Sequence, residues 1–136
     1  MSTKIESKKV SIKNSTQAVF EFLNDFNNIK ALLPTDKISD WESTVDACSF
    51  KIQNAAIIPL VKKSTTPHSK IDIVGGEKAP FPFTLDIFIN EKGANETEAY
   101  LFFEGDINMF LKMMVVKPLT ALFDYMADGL KVELEK

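Results

Sequence analysis

The segment Ile107–Glu135, INMFLKMMVVKPLTALFDYMADGLKVELE, carries the longest helical pattern in the chain, and every pattern before Gly105 is shorter. At about 100° per residue, Val115, Leu119, Leu122, Phe123, Met126 and Leu130 share one arc, with Thr120, Asp124, Ala127, Asp128 and Lys131 opposite. A helix with one such stripe must lay it on another layer, so the preceding residues have to supply a broad apolar surface. Met109, Phe110, Leu111, Met113 and Met114 point all round the axis, which predicts that this first part is covered on several sides. Pro118 lies where the two patterns meet. It lacks the N–H that would bond the Met114 carbonyl and disfavours α geometry at Lys117, which predicts a kink or break.

The surface comes from strand patterns. Residues 4–13 hold Val10 and Ile12 on one parity among charges, which predicts a partly buried first strand. Asn14-Ser15-Thr16 can cap a helix, with Gln17 at the capping-box spacing from Asn14, and Val19, Phe22, Leu23 and Phe26 follow at amphipathic spacing. Ile29 to Leu33 adds a helical turn stopped by Pro34.

From Asp36 the period becomes two. Trp41, Ser43 and Val45 alternate with Asp40, Glu42 and Thr44, and Cys48, Phe50 and Ile52 form the returning strand after a turn at Asp46-Ala47. Ala56 to Thr66 reads as a strand whose Pro59 suits an edge or bulge, and Pro67-His68-Ser69 turns it into Lys70 to Val74. After a loop through Gly75-Gly76 and Ala79-Pro80-Phe81-Pro82, Phe83, Leu85, Ile87 and Ile89 share a face. The last strand, Thr97 to Glu104, puts Ala99, Leu101 and Phe103 on one side and Tyr100 and Phe102 on the other. The implied architecture is α+β: one strand, two short helices, six strands in hairpins, and a long helix. Seven strands span about 30 Å, and residues 118–134 make a helix of about 25 Å that can cross the concave face.

Composition narrows the function. A length of 136 residues fits one domain covering 1–136. Cys48 is the only cysteine, the opening MSTKIESKKV has no apolar run of the signal-peptide kind, and no stretch reaches 18 consecutive apolar residues. These features predict a cytoplasmic protein without a membrane span. All 16 positive side chains are lysines, and the net charge is −3. Without arginine forks or a positive field, nucleic-acid binding is disfavoured. Lys8-Lys9 and Lys62-Lys63 read as solvated strand faces or edge protection.

The passage VSIKNSTQAVFEFLND, the turn ending in ALLP, the hairpin series and the closing FFEGDINMFLKMMVVKPLTALFDYMADGL resemble the START-like superfamily of helix-grip proteins over nearly the whole chain. That superfamily includes birch-pollen-allergen-like proteins and bacterial polyketide cyclase- or dehydrase-like proteins, and this chain is most similar to its small bacterial members. The resemblance implies a helix-grip fold and a tendency to hold apolar ligands between sheet and final helix. It carries no catalytic signature. The glycine-rich loop of the plant allergen branch has no counterpart, because Gly75-Gly76 is an isolated pair.

Other chemistry lacks its parts. A zinc site needs about three or four clustered ligands, and the chain has one His and one Cys. Cys48 reads as a buried structural thiol and His68 as an exposed turn residue rather than a nucleophile and base. No phosphate-cradling glycine motif follows a strand. Asp86, mid-strand, and Asp40 and Glu42, flanking Trp41, all point by alternation to the solvated face. No cofactor and no metal are expected.

The resulting expectation is a non-enzymatic protein that binds a lipid-like or aromatic small molecule. Its cavity wall would come from Phe50, Ile52, Phe83, Leu85, Ile87, Leu101, Phe103, Leu119, Leu122, Phe123 and Met126. One alternative is a cyclase- or dehydratase-like enzyme, for which Tyr125 is the nearest inward polar candidate. Another is an interaction module of the chaperone-activator type, with phenylalanines filling the core and Phe88, Tyr100 and Phe102 exposed. A protein partner or a homodimer is compatible with either.

Overall fold

A computed structural model describes residues 2–52 and 56–136. Strands β1 (Thr3–Glu6) and β2 (Val10–Ile12) lead into helix α1 (Thr16–Asn24) and a 3-10 helix (Phe26–Leu32). There follow β3 (Ile38–Ser43), β4 (Ala47–Ile52), β5 (Ile57–Thr66), β6 (Lys70–Gly75), β7 (Phe83–Gly93) and β8 (Glu96–Gly105), and α2 (Met109–Leu134) closes the chain. The strands form one antiparallel sheet in the order β1-β8-β7-β6-β5-β4-β3, with β2 also on β8. The expected order of strand, helices, hairpins and helix is the observed one.

The predicted first strand is split in two. Thr3 pairs with Gly105 and Glu6 with Phe102, whereas Val10 pairs with Ala99, so the register slips by one residue across Ser7–Lys9. That bulge lets both Ile5 and Val10 point inward despite their opposite parity. Ser7 repairs the ladder: its N–H donates to the Leu101 carbonyl and its Oγ accepts from the Leu101 N–H, both at 2.9 Å. Lys8 turns outward to the final helix. Its N–H donates to Asp124 Oδ1 at 2.8 Å and its ammonium pairs with Asp128 at 2.8 Å. Further along, Lys131 donates to the Ser11 carbonyl, and the Asn14 amide donates to the Leu134 carbonyl.

Two more bulges reset parity. In β3 the register shifts between Ser39 and Glu42, where Asp40 adopts φ 55°, and Ile38 and Trp41 consequently both lean inward. Trp41 stacks near Phe50 at 6.2 Å between centroids. Val45, expected on the inner face, is exposed instead, because the chain has already turned and the Val45 carbonyl accepts from the Phe26 N–H. Pro59 lies in an interior strand rather than on an edge. Its carbonyl accepts from the Gly76 N–H, just past the end of β6, so its missing donor faces the same side, beyond the ladder.

The β5 bulge between Lys62 and Ser64 corrects the reading of Lys62 as a solvated residue. Lys62 pairs with inward-facing Ile73, and its side chain is only 12% exposed. Its ammonium donates to the Asn24 carbonyl at the C-terminal end of α1, pairs with Asp46 at 3.1 Å and lies 5.2 Å from the Phe26 ring centre. A cation at a helix C-terminus opposes the helix dipole and satisfies a carbonyl with no intrahelical donor.

The N-cap of α1 is Ser15, whose Oγ accepts from the Ala18 N–H, rather than Asn14. In α2, Asn108 caps the start and the helix runs through Pro118 without a break, so the break expected there does not occur. Met114, whose carbonyl loses its donor at Pro118, lies on an exposed part of the helix where water can replace that bond. The core stripe is as expected, but Ala127 joins it instead of facing solvent. Met109, Phe110, Met113 and Met114 are exposed, against the expectation that the helix start is covered.

Lys62→Ala should lower stability by about 1.5–3 kcal/mol, the range for losing a charged hydrogen bond, here at a part-buried helix-end carbonyl. A urea unfolding midpoint compared with wild type checks this. Asp46→Ala, which removes only the exposed partner, should cost far less.

Candidate functional site

Beneath the middle of α2 the concave face is filled by rings. Phe103 lies 5.4 Å from Phe83, 5.5 Å from Phe123 and 6.2 Å from Phe81, centroid to centroid. Two glycines make room for rings lying along the sheet. A Cβ on Gly75 would come within 2.7 Å of the Phe83 ring, and one on Gly105 within 2.8 Å of the Phe103 ring. A larger residue at either position would push a ring off the sheet and into α2.

Toward the opposite side of α2 the packing opens. A cleft of about 520 Å³ lies between the connector carrying Pro34, Asp36, Lys37 and Ile38, the end of β4 at Ile52, and the α2 residues Pro118, Ala121, Leu122 and Tyr125. Its volume is in the range of small-molecule sites, and its walls are mostly apolar with Lys37, Asp36 and Tyr125 as polar groups. The connector is held close because Gly129, two turns along α2, lets the backbone of Leu32 approach. A Cβ there would sit 3.3 Å from the Leu32 Cα. Leu33 then caps the 3-10 helix through its N–H to the Lys30 carbonyl, and the Lys37 N–H closes a turn on the Pro34 carbonyl.

All eleven expected wall residues are buried in one core. Ile52 and Leu122 border the cleft. Phe83, Phe103 and Phe123 belong to the ring cluster, while Phe50, Leu85, Ile87, Leu101, Leu119 and Met126 are fully or almost fully covered. Sequence reasoning missed Pro34, Asp36, Lys37, Ile38, Pro118 and Ala121 as cleft residues. The available signal was Ala121, a small side chain beside the apolar stripe, opposite a proline-stiffened connector.

A second groove of about 480 Å³ runs along the ends of β3, β4 and β5 between Glu42–Thr44 and Gly76–Lys78, away from α2. Cys48 borders it, but burial pushes the thiol up to about 12, so it stays protonated and unreactive near neutral pH. His68 is exposed in the β5–β6 turn with φ 62°, its ring edge-on to Phe20 at 5.7 Å.

The outer sheet face carries the most perturbed carboxyl. Asp86 pairs across the strands with Asp72. Burial, together with a hydrogen bond to Asp72 that needs a shared proton, pushes Asp86 up to about 6, with Lys70 and Lys63 opposing. Asp72 feels burial too, but hydrogen bonds from Lys70 at 3.0 Å and Ser64 at 2.8 Å outweigh it and hold this carboxyl below its ordinary range. Asp86 does point away from the core, as alternation predicts, yet it is half-buried rather than solvated. Phe88 and Tyr100 stack on the same face at 5.0 Å, with the Lys70 and Lys9 ammonium groups 5.3 and 5.2 Å from their respective ring centres. Phe88, Tyr100 and Phe102 are half-buried, not exposed.

Comparison with solved structures places this architecture. Norcoclaurine synthase from Thalictrum flavum, as a point mutant with a transition state analogue, superposes with TM-score 0.76 at 11% identity, covering 98% of this chain and 94% of the other. The Zhui aromatase/cyclase from Streptomyces sp. R1128 gives TM-score 0.75 at 13% identity, covering 99% and 94%. A START superfamily protein from Mycobacterium smegmatis gives 0.70 at 11% identity, covering 97% of each chain. No protein-family model matches the sequence, and no curated protein is similar to it in sequence. The chain has the START-like helix-grip fold seen in these structures. Among the described residues no helix is long and apolar enough to cross a membrane.

Phe123→Ala should cost about 3–5 kcal/mol in urea unfolding, because the ring is enclosed and its removal leaves a cavity the sheet cannot collapse into. Asp86→Asn tests the outer pair. The folded-state position of Asp86 lies above its ordinary value, so its favourable contribution is present below about pH 4 and is lost as pH rises through about 6. The Asn variant should therefore melt higher than wild type at pH 7, and this advantage should shrink toward pH 4.

Proposed function

We propose that the protein binds a hydrophobic small molecule, lipid-like or aromatic, in the cleft between α2 and the Pro34–Ile38 connector, without chemically transforming it. The observation that carries this reading is the apolar cleft itself, with Ile38, Ile52, Pro118 and Leu122 as its walls and Tyr125 at its margin. The other nine residues expected to line a cavity lie behind that wall, where they would hold its shape. The norcoclaurine synthase and aromatase/cyclase neighbours of the same fold support a small-molecule role.

The absence of arginine removes a bidentate anchor for phosphate or carboxylate, so affinity rests on apolar area. Burying about 400 Å² of ligand at about 25 cal/mol/Å² contributes at most about 10 kcal/mol gross, and lost freedom of motion removes several of these. Micromolar binding of uncharged or weakly acidic apolar molecules follows. A cyclase- or dehydratase-like reading draws on Tyr125 and Asp36, which border the same cleft. Turnover that disappears in Tyr125→Phe would favour it over simple binding.

Native mass spectrometry of gently purified protein, with a thermal-shift screen of fatty acids, quinones, sterols and polycyclic aromatics, should reveal a bound or stabilising compound. Ala121→Trp should abolish that shift while leaving the apo melting temperature nearly unchanged, since Ala121 is exposed at the cleft. Failure of every compound to shift the wild-type protein would remove the binding reading.

A further inference from the structure

The first two turns of α2 present an apolar face to water. Met109 is 79% exposed, Phe110 73%, Met113 82% and Met114 47%. At about 100° per residue these side chains span an arc of about 140°, opposite the buried Val115 and Leu119. The surface is preformed rather than frayed. Asn108 Oδ1 accepts from the Leu111 N–H at 2.9 Å, Ile107 is buried, and the Asp106 N–H donates to the Pro82 carbonyl.

The charged side chains on this part of the helix have one sign. Lys117 falls within the arc one turn further on, Lys112 lies beyond its edge, both are exposed, and residues 107–123 contain no Asp or Glu, the exposed Asp106 standing ahead of the helix. This contrasts with a whole-chain charge of −3. The nearest acid further along the helix, Asp124, is engaged by the Lys8 N–H. A second copy of the chain packed on this face would bring lysines together with no carboxylate in the patch to meet them. Flexible thioethers and a phenyl ring beside lysines that can snorkel instead match the boundary between anionic headgroups and acyl chains.

We propose that the start of α2 is a docking surface for an anionic lipid bilayer, with Met109, Phe110 and Met113 entering the acyl boundary and Lys112 and Lys117 meeting the headgroups. Docking is reversible, because a patch this size gives weak attachment and each lysine adds only roughly fivefold in affinity. The inference is independent of what occupies the cleft, although Pro118 brings the cleft's α2 wall to within one turn of Met114.

The test is co-sedimentation of the full chain with phosphatidylcholine vesicles containing about one quarter phosphatidylglycerol, against pure phosphatidylcholine vesicles. Wild type should bind the anionic vesicles and lose most of that binding in high salt. The variant Met109→Ser, Phe110→Ser, Met113→Ser should keep its melting temperature, since these side chains are exposed, and lose at least about tenfold in affinity. Lys112→Glu with Lys117→Glu should abolish the preference for anionic vesicles. Absence of wild-type binding, or binding untouched by either variant, overturns the proposal. So does a wild-type dimer in sedimentation that the serine variant dissociates, since the patch would then belong to a second copy. Ala121→Trp, which blocks only the cleft, should leave vesicle binding intact.

Discussion

The burial of Phe123 against Phe103 is the contact through which the two layers of this protein act as one. Phe103 sits on β8, the strand that pairs with β7 on one side and with β1 and β2 on the other. Phe123 sits on the middle of the helix that the sheet must cover. Their contact fixes where α2 crosses the concave face and therefore which part of that face is closed. The Phe83 ring over Gly75 and the Phe103 ring over Gly105 extend the closure, with Phe81 beside both rings, and the packing opens toward Ile52 and Leu122. The cleft is what remains after aromatic packing has taken the centre.

Much of this architecture was legible because the apolar period reports which face is buried. The α2 stripe, the strand alternation of β6, β7 and β8, and the order of elements all follow from that rule. The departures from strand parity have a shared cause. Bulges at Ser7–Lys9, Asp40 and Lys63 each add one residue and invert parity, and nothing in Lys8, Trp41 or Lys62 taken alone announces the inversion. The inward turn of Lys62 depends on a helix end and an aromatic ring remote in sequence. The break expected at Pro118 is absent for another reason: a proline costs a helix one bond, but tertiary packing of Val115, Leu119 and Leu122 on either side can outweigh that loss.

The candidate site was harder to read than the fold. A pattern of apolar residues cannot distinguish a wall from a filled core, since both need the same side chains facing inward. What separates them is the volume left between elements, and that depends on glycines such as Gly75, Gly105 and Gly129, whose effect lies in what approaches them. The connector residues Pro34–Ile38 contribute through backbone position, which carries no periodic signal.

The pairing of β1 and β2 with β8 also has a consequence for how such a chain is made. Thr3 finds its partner only when Gly105 exists, and Lys8, Ser11 and Asn14 find theirs only when α2 has been completed as far as Leu134. A nascent chain leaving the ribosome therefore holds its hairpins with the concave apolar face uncovered until α2 emerges. Contacts this distant slow the search for the native state and expose sheet edges meanwhile. The chain has to be made through α2 before the grip can close.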